Sequence, residues 1–392
     1  MNEAVILSAC RTPIGKFQGC FAGMTAPELG AIAIRAALER AGVEPGQVDE
    51  VIMGNVLSAG VGQAPARQAA IGAGLPSSVA ALTINKVCGS GLKAIMLAAQ
   101  AIRAGDADVV VAGGLESMSR APYLVDRMGP PLGDRFLVDS LLHEGLTCAI
   151  CDRSMGLIAD DLAGSAGVSR GDQDQFAYDS HRRAISAAGE GLFAAEIVPV
   201  TIRQKQGDRV ISSDEGPRAD ASLDRMGKLS PAFQKTGSVT AGNASMISDG
   251  AAAVVVTSRR FQEAHHLKGM ARIVSSATAG LDAQDLFVAP VPAIRVALQR
   301  AGLTTGDIDL FEINEAFAVQ VLACVRQLEI PLEKVNVHGG AIALGHPLGC
   351  SGARVAVTLL HAMRQRQAKS GVAGLCLGGG NAVAAVFESM TS

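Results

Sequence analysis

The chain has few aromatic side chains and no tryptophan. Its 392 residues include 2 Tyr and 11 Phe, whereas 45 are Gly. A core made mainly of Ala, Val, Ile and Leu, in elements that pack closely and are joined by tight turns, is typical of an α/β protein. The length favours two or three domains over one small core.

The chain also lacks an excess of charge and long apolar runs. Its net charge is −3, with acids and bases mixed along the sequence, which argues against a polybasic surface for nucleic acid or anionic lipid. The longest uncharged apolar run, residues 109–115, is far shorter than the ~18 residues of a membrane span. We therefore expect neither nucleic acid nor a membrane as a partner.

Cysteine usage and the first residues both favour a cytoplasmic protein. The sequence opens without a basic region followed by an apolar stretch, so a secretory signal is not expected. The eight Cys do not have the spacing of a disulfide framework. Such scattered cysteines are typical of reduced thiols in a large cytoplasmic protein.

Two stretches of the chain repeat each other. Residues 33–49 and 293–309 are related by a constant offset of 260, and ten of the seventeen positions are identical. Each copy reads as a helix that ends at a glycine, then a polar turn, then an apolar strand. This pattern predicts two related α/β halves.

A second repeat places Cys88 at the start of a helix. The residues from Gly89 align with those from Cys350 at an offset of 261, and the apolar positions of the first copy follow the i, i+3, i+4, i+7 rule. Cys88 is then either a nucleophile at a helix start or a small apolar residue before a turn. A looser pairing relates the apolar strands at 109–114 and 375–380. Paired halves bring equivalent strand ends near a common axis, where a site can be shared.

The stretch between the halves has a different composition. In residues 119–248, 31 of 130 positions are charged, against 40 of the other 262. We predict an insertion that leaves the first half and returns as a strand at 251–257; a linker between the halves is the alternative. Within it, Ser169 and Asp172 predict a capping pair at a helix start. The predicted domains are 1–118 with 249–268, then 119–248, then 269–392.

Cys88 and His346 are candidates for nucleophilic catalysis. A helix N-terminus and a neighbouring imidazole would both favour the thiolate of Cys88. His346 lies in a Gly-rich turn just before the helix that the repeat makes equivalent to the Cys88 helix. The repeat therefore places His346 within reach of Cys88, although a purely structural histidine is the alternative.

Cys376 and Asn314 are weaker candidates when each is taken alone. Cys376 lies in an apolar strand, and three glycines follow Leu377; taken alone, it is read more readily as a core cysteine. Glycines after a strand leave backbone N–H groups open, as an oxyanion site requires. Asn314 offers an uncharged donor in a strand–helix turn, and the adjacent Glu315 is expected to serve structure or the placement of a water.

Three other patterns are weaker evidence for a functional site. Cys148 and Cys151 have half of a zinc or redox spacing without a second pair, so we expect neither metal nor redox function there. His265 and His266 lie in a polar helix and are expected to be solvated. The glycines from 378 lack the spacing and helix context of a dinucleotide-binding loop.

Taken together, the motifs resemble those of the thiolase family, in particular its acetoacetyl-CoA thiolase branch. The resemblance runs in order from residue 5 to about residue 387. It rests on SACRTPIGKF at 8, NKVCGSG at 85, AGGLESMS at 112, TAGNAS at 240, NEAFA at 314, GGAIALGHPLGCSGAR at 339 and CLGGG at 376. The family's fold is a duplicated, five-layered α/β/α/β/α arrangement with an inserted loop domain.

The resemblance implies a reaction and a role for each matching residue. The expected reaction is reversible, coenzyme-A-dependent Claisen condensation or thiolysis, with coenzyme A as substrate and no cofactor or metal. Cys88 would carry the acyl group and His346 would activate it. Cys376 would move the α-proton of acetyl-CoA. His346 and Asn314, through a water, would hold one oxyanion, and the N–H groups of Cys88 and Gly378 the other.

The family pattern also suggests where coenzyme A binds and how subunits assemble. Ser245 and Arg218 match positions that contact its pantetheine and adenine ends. A homodimer or homotetramer is expected, with residues 122–136 in the place of a tetramerising loop; a mobile surface loop is the alternative there.

The sequence departs from the acetoacetyl-type pattern at three places, namely Ser154, Leu286–Ala289 and Asn381–Ala382. Because these segments line the acyl and pantetheine pocket in the family, we expect an altered acyl-chain preference. The alternatives to a thiolase are a decarboxylating ketoacyl synthase, which has no use for a second catalytic thiol, and a non-catalytic acyl-CoA or lipid carrier.

Overall fold

The chain forms a mixed α/β structure, which the computed structural model describes for residues 3–205 and 207–390. Within these residues the strands are β1 (Ala4–Arg11), β2 (Gly15–Lys16), β3 (Glu50–Gly54), β4 (Ala80–Ile84), β5 (Val109–Ser117), β6 (Tyr123–Leu124), β7 (Val138–Asp139), β8 (Thr147–Cys148), β9 (Arg153–Ser154), β10 (Val200–Ile202), β11 (Arg209–Ile211), β12 (Ser248–Ser258), β13 (Ala271–Gly280), β14 (Leu310–Ile313), β15 (Ser370–Leu377) and β16 (Asn381–Ser389). The helices are α1 (Ala26–Ala41), α2 (Pro65–Gly72), α3 (Ser90–Ala104), α4 (Met155–Ser165), α5 (Arg170–Gly189), α6 (Leu223–Gly227), α7 (Arg259–Ala264), α8 (Pro290–Ala301), α9 (Ala318–Leu328), α10 (Ala341–Leu344) and α11 (Leu348–Arg366). Residues 1, 2, 206, 391 and 392, which the predicted domain ranges include, lie outside this description.

The two copies of the predicted repeat fold alike. Helices α1 and α8 end at Gly42 and Gly302, whose φ angles of 66° and 71° lie in the left-handed region that glycine adopts without strain. A short 3-10 turn follows each glycine. Strands β3 and β14 then run parallel to β5 and β15. The prediction of two related α/β halves is confirmed.

Each half contributes a sheet of the same topology. The first has the order β1-β12-β5-β3-β4 and the second β13-β16-β15-β14. A single parallel bridge between Val335 and Phe311 takes the place of a fifth strand in the second half. The sheets join where β1 and β13 pair antiparallel, Val5 opposite Arg272 and Ile6 opposite Ala271.

Helices α3 and α11 form a layer between the two sheets, since both pack against strands of each half. The outer face of the first sheet is covered by α1 and α2, and that of the second by α8 and α9. The α/β/α/β/α layering expected from the resemblance is therefore present.

The central helices α3 and α11 touch backbone to backbone at two glycines. A Cβ atom on Gly91 would lie 2.5 Å from the backbone nitrogen of Ala353, and one on Gly352 would lie 2.3 Å from that of Leu92. These two contacts are equivalents across the 261-residue repeat. The close approach brings the N-terminal ends of both helices to the middle of the molecule.

The segment between β5 and β12 loops out of the first half. It contains β6–β11 and α4–α6, and β12 returns to pair with β1 and β5. The predicted strand at 251–257 lies inside β12, and the predicted capping pair is present because Ser169 and Asp172 exchange hydrogen bonds at the start of α5. No described helix is long and apolar enough to cross a membrane.

Candidate active site

A cavity of about 340 Å³ lies where the central helices begin. It is lined by residues from the first half, the second half and the insertion, including Cys88, His346, Cys376, Gly378, Ser245, Leu142, Leu146, Phe233, Phe287 and Phe317. The volume is in the range of small-molecule sites, which are mostly apolar with a few convergent polar groups. The structure thus brings together both predicted thiols and the predicted histidine.

Cys88 directly precedes Gly89, the residue that caps the N-terminus of α3. The residue before it, Val87, has a φ of 46°, an uncommon and strained conformation for a β-branched side chain. The turn is held by Ser90, whose hydroxyl donates to the Val87 carbonyl at 2.6 Å and accepts from the Lys86 N–H at 2.8 Å. This fixed turn aims the Cys88 side chain into the cavity.

Burial disfavours ionisation of the Cys88 thiol. Burial raises its pKa to about 11, although hydrogen bonds from the backbone N–H groups of Gly378 and of Cys88 itself act in the opposite direction. Desolvation of the charged form therefore outweighs these hydrogen bonds in the absence of substrate. At neutral pH, Cys88 is a thiol.

One ring nitrogen of His346 faces the cavity, and the other is held by a hydrogen bond. Its Nδ1 lies 2.6 Å from the Ser351 hydroxyl, and that hydroxyl donates to the Pro347 carbonyl at 2.7 Å. Because the single hydroxyl proton is used there, Ser351 must accept from Nδ1–H. Nε2 is then the unprotonated nitrogen, which is the form a general base needs.

The charge state of His346 follows from its burial. Burial and the nearby Arg354 guanidinium lower the pKa of His346 to about 3, so the ring is neutral at pH 7. Arg354 is itself paired with Glu312 at 2.7 Å in the interior. In the absence of substrate, Cys88 and His346 are therefore a neutral thiol and a neutral imidazole that line the same cavity.

Asn314 stands at the end of β14, beside the histidine. Its Nδ2 atom lies 3.5 Å from Nε2 of His346, and its backbone N–H donates to the Gly374 carbonyl of β15. The side chain is fully buried. The amide of Asn314 and the imidazole of His346 are thus adjacent.

Glu315 is structural, as expected. Its carboxylate accepts from Ser180 at 2.7 Å, Asn336 at 2.9 Å and the Ile342 N–H at 3.1 Å. These bonds join α5 of the insertion to the loop that precedes His346.

Cys376 is the penultimate residue of β15 and lies opposite Ala382 in β16. Burial raises the pKa of its thiol well above the ordinary value, and the neighbouring Cys88 raises it further. The turn that follows needs its glycines, since Gly379 and Gly380 have φ angles of 77° and 83°. This turn leaves the N–H of Gly378 directed at the Cys88 thiol.

The two residues predicted to bind coenzyme A lie in different places. Ser245 lines the cavity, where its N–H donates to the Ala316 carbonyl at 3.0 Å. Arg218 is exposed in a loop outside the cavity lining, and its backbone N–H donates to Nδ1 of His181 at 3.2 Å. The structure thus places Ser245 with the catalytic candidates and Arg218 at the surface.

Two of the three departures from the family pattern line the cavity, and one does not. Ser154, Leu286 and Phe287 line the cavity. Ser154 has a second role as the N-cap of α4, where its hydroxyl accepts from the Leu157 N–H at 3.4 Å. The third departure does not line the cavity; Asn381 instead contacts the Gly379 carbonyl and the Lys86 ammonium, each at 3.4 Å.

Glu116 is a site residue that the sequence did not reveal. Its buried carboxylate accepts from the N–H groups of Val56, Leu57 and Gly349 and from the Asn55 amide, at 2.7 to 3.2 Å. It thereby anchors the start of α11 to a loop of the first half, directly behind Cys88. Burial raises the pKa of Glu116 to about 7.

Among residues 3–205 and 207–390, no three His, Cys, Asp or Glu side chains are grouped so as to hold a metal ion. The candidate chemistry of the cavity therefore rests on two thiols, one imidazole, one amide and backbone N–H groups.

Comparison with known proteins identifies relatives over the whole chain. The family description "Thiolase, N-terminal domain" matches residues 4–260, and "Thiolase, C-terminal domain" matches residues 267–389. An acetyl-CoA acetyltransferase of Cupriavidus necator is 55% identical over 391 residues, which cover 99% of this chain and 100% of the relative. An acetyl-CoA acetyltransferase of Escherichia coli K12 is 52% identical over 393 residues and 100% of both chains. The crystal structure of the Bacillus anthracis acetyl-CoA acetyltransferase superposes with a TM-score of 0.97 at 42% identity, covering 100% of this chain and 99% of that one.

Proposed function

The chain belongs to the thiolase family, and we propose that it catalyses reversible acyl transfer through Cys88, joining two acetyl-CoA molecules into acetoacetyl-CoA and free coenzyme A, or cleaving a 3-ketoacyl-CoA. The observation that carries this proposal is the convergence of Cys88, His346, Cys376 and the Gly378 N–H on one cavity. The acetyltransferase names of the full-length relatives support the same substrate.

In the first half-reaction, His346 takes the proton of Cys88 as the sulfur attacks a thioester carbonyl. A neutral imidazole with Nε2 free is the form required for this step, and Ser351 supplies it. Cys376 gives its proton to the departing coenzyme A, which leaves as a thiol, so Cys376 becomes a thiolate. His346 keeps the proton from Cys88, and the acyl group stays on Cys88 as a thioester. Because thiol and imidazole are both neutral before the attack, charge develops only as the substrate arrives, when nearby N–H donors stabilise it most effectively.

In the second half-reaction, the Cys376 thiolate removes the α-proton of a second acetyl-CoA. The resulting carbon nucleophile attacks the thioester on Cys88, forming the C–C bond and releasing the Cys88 sulfur, which regains its proton from His346. The reverse sequence is thiolysis. Two oxyanions arise at different carbonyls, and we assign one donor set to each: the protonated His346 with Asn314, and the N–H groups of Cys88 and Gly378.

Two other functions are less well supported. A decarboxylating ketoacyl synthase has no role for a second catalytic thiol, whereas Cys376 lines the cavity together with Cys88. A non-catalytic acyl-CoA carrier does not need a histidine whose tautomer is fixed by a buried serine.

The apolar wall of the cavity supports a substrate range that extends beyond acetoacetyl-CoA. Leu286 and Phe287 add hydrocarbon surface where the acetoacetyl-type pattern differs, and Ser154 places a small side chain where that pattern has histidine. We propose that the enzyme also cleaves 3-ketoacyl-CoA thioesters with longer acyl chains, as in fatty acid metabolism.

The remaining parts of the proposal concern organisation and location. We propose the domain division 1–118 with 249–268, 119–248 and 269–392, with Arg218 of the insertion contacting the adenine end of coenzyme A. The exposed apolar side chains of Met128, Leu132 and Phe136 support a homotetramer that assembles through the segment 122–136. A homodimer is the alternative. Eight free cysteines support a cytoplasmic location.

Initial-rate kinetics test the proposed function. With acetoacetyl-CoA and coenzyme A varied together, a covalent acyl-enzyme predicts parallel lines in the double-reciprocal plot, the mark of ping-pong kinetics. Intersecting lines would exclude the acyl-Cys88 intermediate, and the absence of thiolysis with binding retained would favour the carrier.

A further inference from the structure

A cysteine hairpin forms part of the cavity wall. Strands β8 and β9 pair antiparallel, Thr147 opposite Ser154 and Cys148 opposite Arg153. Thr147 and Ser154 face the cavity. The turn that joins the two strands, residues 149–152, therefore extends directly from the wall of the site and carries Cys151.

This hairpin rests on the glycine turn that follows Cys376. The Cys148 thiol accepts a hydrogen bond from the Gly379 N–H, one residue beyond the proposed oxyanion donor Gly378. A Cβ atom on Gly379 would lie 3.3 Å from Cδ1 of Ile150. A change in the shape of the hairpin is therefore transmitted to the Gly378–Gly379 backbone by direct contact.

The two thiols of the hairpin touch each other. Cys148 and Cys151 are joined by a thiol–thiol hydrogen bond, and the Cys148 sulfur also accepts from the N–H groups of Cys151 and Ile150. Both cysteines are reduced in the structure.

The two thiols have different exposures and ionisation. Cys148 is buried, whereas Cys151 is partly exposed. Burial alone would raise the pKa of Cys148, but the hydrogen bonds from Cys151, Ile150 and Gly379 lower it overall. Burial and the neighbouring Cys148 raise the pKa of Cys151. The pair thus has the asymmetry of an accessible attacking thiol and a buried resolving thiolate.

We propose that Cys148 and Cys151 form a reversible dithiol–disulfide site, oxidised by low-molecular-weight disulfides, whose closure displaces the Gly378–Gly379 turn and slows acyl transfer at Cys88. The site is separate from the catalytic thiols. Its effect on turnover rests on the function proposed above, whereas disulfide formation does not.

The chemistry proceeds in two balanced exchanges. The Cys151 thiolate attacks one sulfur of the small disulfide, giving a mixed disulfide at Cys151 and releasing one small thiolate, which takes up the proton lost by Cys151. The Cys148 thiolate then attacks Sγ of Cys151, forming the Cys148–Cys151 bond and releasing a second small thiol. Two protein thiols are oxidised and one disulfide is reduced to two thiols.

The catalytic pair is not expected to compete for the oxidant. Burial raises the pKa of Cys88 to about 11 and that of Cys376 well above its ordinary value, and neither has a neighbouring thiol of lowered pKa such as Cys148 provides for Cys151. Cys20 is partly exposed and has a raised pKa like Cys151, but the neighbour that raises it is Glu215 rather than a thiol that could resolve a mixed disulfide. Cys20 therefore provides a matched control.

The test is incubation of the reduced enzyme with oxidised glutathione, followed by differential alkylation, peptide mass spectrometry and a thiolysis assay. We expect a Cys148–Cys151 disulfide and a fall in kcat of at least about tenfold, since outright loss of an oxyanion donor costs about 10² to 10³. Dithiothreitol should restore the rate. Cys20→Ser should behave like the wild type, and Cys151→Ser and Cys148→Ser should keep their rate in the oxidant.

Three results would overturn the proposal: alkylation of both thiols after the oxidant, a mapped disulfide without loss of rate, or equal inactivation of Cys151→Ser, which would place the damage at Cys88 or Cys376. The rate at which iodoacetamide labels Cys88 gives a second readout of the turn that does not require turnover. If the reduced enzyme has no thiolysis activity, the proposed function fails, and the disulfide and the Cys88 labelling rate still decide this inference.

Discussion

The Ser351 hydroxyl lies 2.6 Å from Nδ1 of His346 and donates its own hydrogen bond to the Pro347 carbonyl. His346 is therefore held as the tautomer whose Nε2 lone pair faces Asn314 and the cavity. A serine one turn into α11 thus controls which nitrogen of the histidine is basic. Ser351 is a positioning residue, because it acts on the substrate only through His346.

Substitution of Ser351 tests this relationship. Ser351→Ala removes the acceptor for Nδ1–H, so both tautomers become populated and we expect kcat to fall by about 10²-fold, the low end for general acid–base catalysis. The pH dependence of kcat should change as well, because loss of that bond alters the proton affinity of the ring. Ser165→Ala, at an exposed position of α4, is the matched control. An unchanged pH profile in Ser351→Ala would limit Ser351 to a structural role.

The alkylation rate of Cys88 should rise steadily with pH. Burial raises the pKa of this thiol to about 11, so the reactive thiolate is a minor form at neutral pH and increases about tenfold per pH unit until that value is reached. We expect the logarithm of the iodoacetamide labelling rate, read on the Cys88 peptide, to have a slope near one between about pH 7 and 10. A plateau between about pH 6 and 8 would instead indicate a preformed thiolate–imidazolium pair.

Gly352 should tolerate no side chain, because the two central helices touch there. A Cβ atom at this position would lie 2.3 Å from the backbone nitrogen of Leu92, which cannot move without shifting the start of α3. Overpacking of this kind typically costs about 1–3 kcal/mol. We expect Gly352→Ala to lower Tm and to reduce acyl transfer, since α3 carries the turn that aims Cys88.

The control for that variant is Gly164→Ala in α4. A Cβ atom there meets no neighbouring atom within 4 Å, and replacing an unstrained helical glycine by alanine usually stabilises by up to about 1 kcal/mol. Tm values at matched protein concentration should therefore move in opposite directions. Equal shifts would show that the helices separate easily at Gly352.

The cavity wall predicts activity on longer acyl chains. Burial of each additional methylene stabilises a complex by about 0.8 kcal/mol, so 3-ketohexanoyl-CoA should be cleaved with a kcat/KM at least equal to that of acetoacetyl-CoA. Leu286→Trp, which fills the cavity, should reduce the rate with the six-carbon substrate more than with the four-carbon one. Leu332→Trp, at an exposed position outside the cavity, should change neither. A plain preference for the four-carbon substrate in the wild type would contradict the prediction.

Much of the site could be predicted from the sequence because the chain repeats itself. The 261-residue offset identified the helices that follow Cys88 and His346 as equivalents, and related halves place such helix starts together. Asn314 follows β14 and Cys376 lies near the end of the neighbouring parallel strand β15, and the carboxyl ends of parallel strands meet at the same edge.

The remainder depends on three-dimensional contacts that leave no local pattern. The four donors of Glu116 come from the loop after β3 and from the start of α11, which are far apart in the chain. Nothing beside Val87 in the sequence signals its positive φ. The effect of burial on the pKa of Cys88 is another example. A helix start is visible in a sequence, but the extent of burial that outweighs it is not.

Mass spectrometry after a brief exposure to acetyl-CoA measures the central step directly. The account predicts that the wild type and Cys376→Ala each gain the mass of one acetyl group on the peptide that contains Cys88, that Cys88→Ala gains none, and that Cys376→Ala then fails to form acetoacetyl-CoA. An acetyl group on another residue, or acetylation that persists in Cys88→Ala, would contradict it.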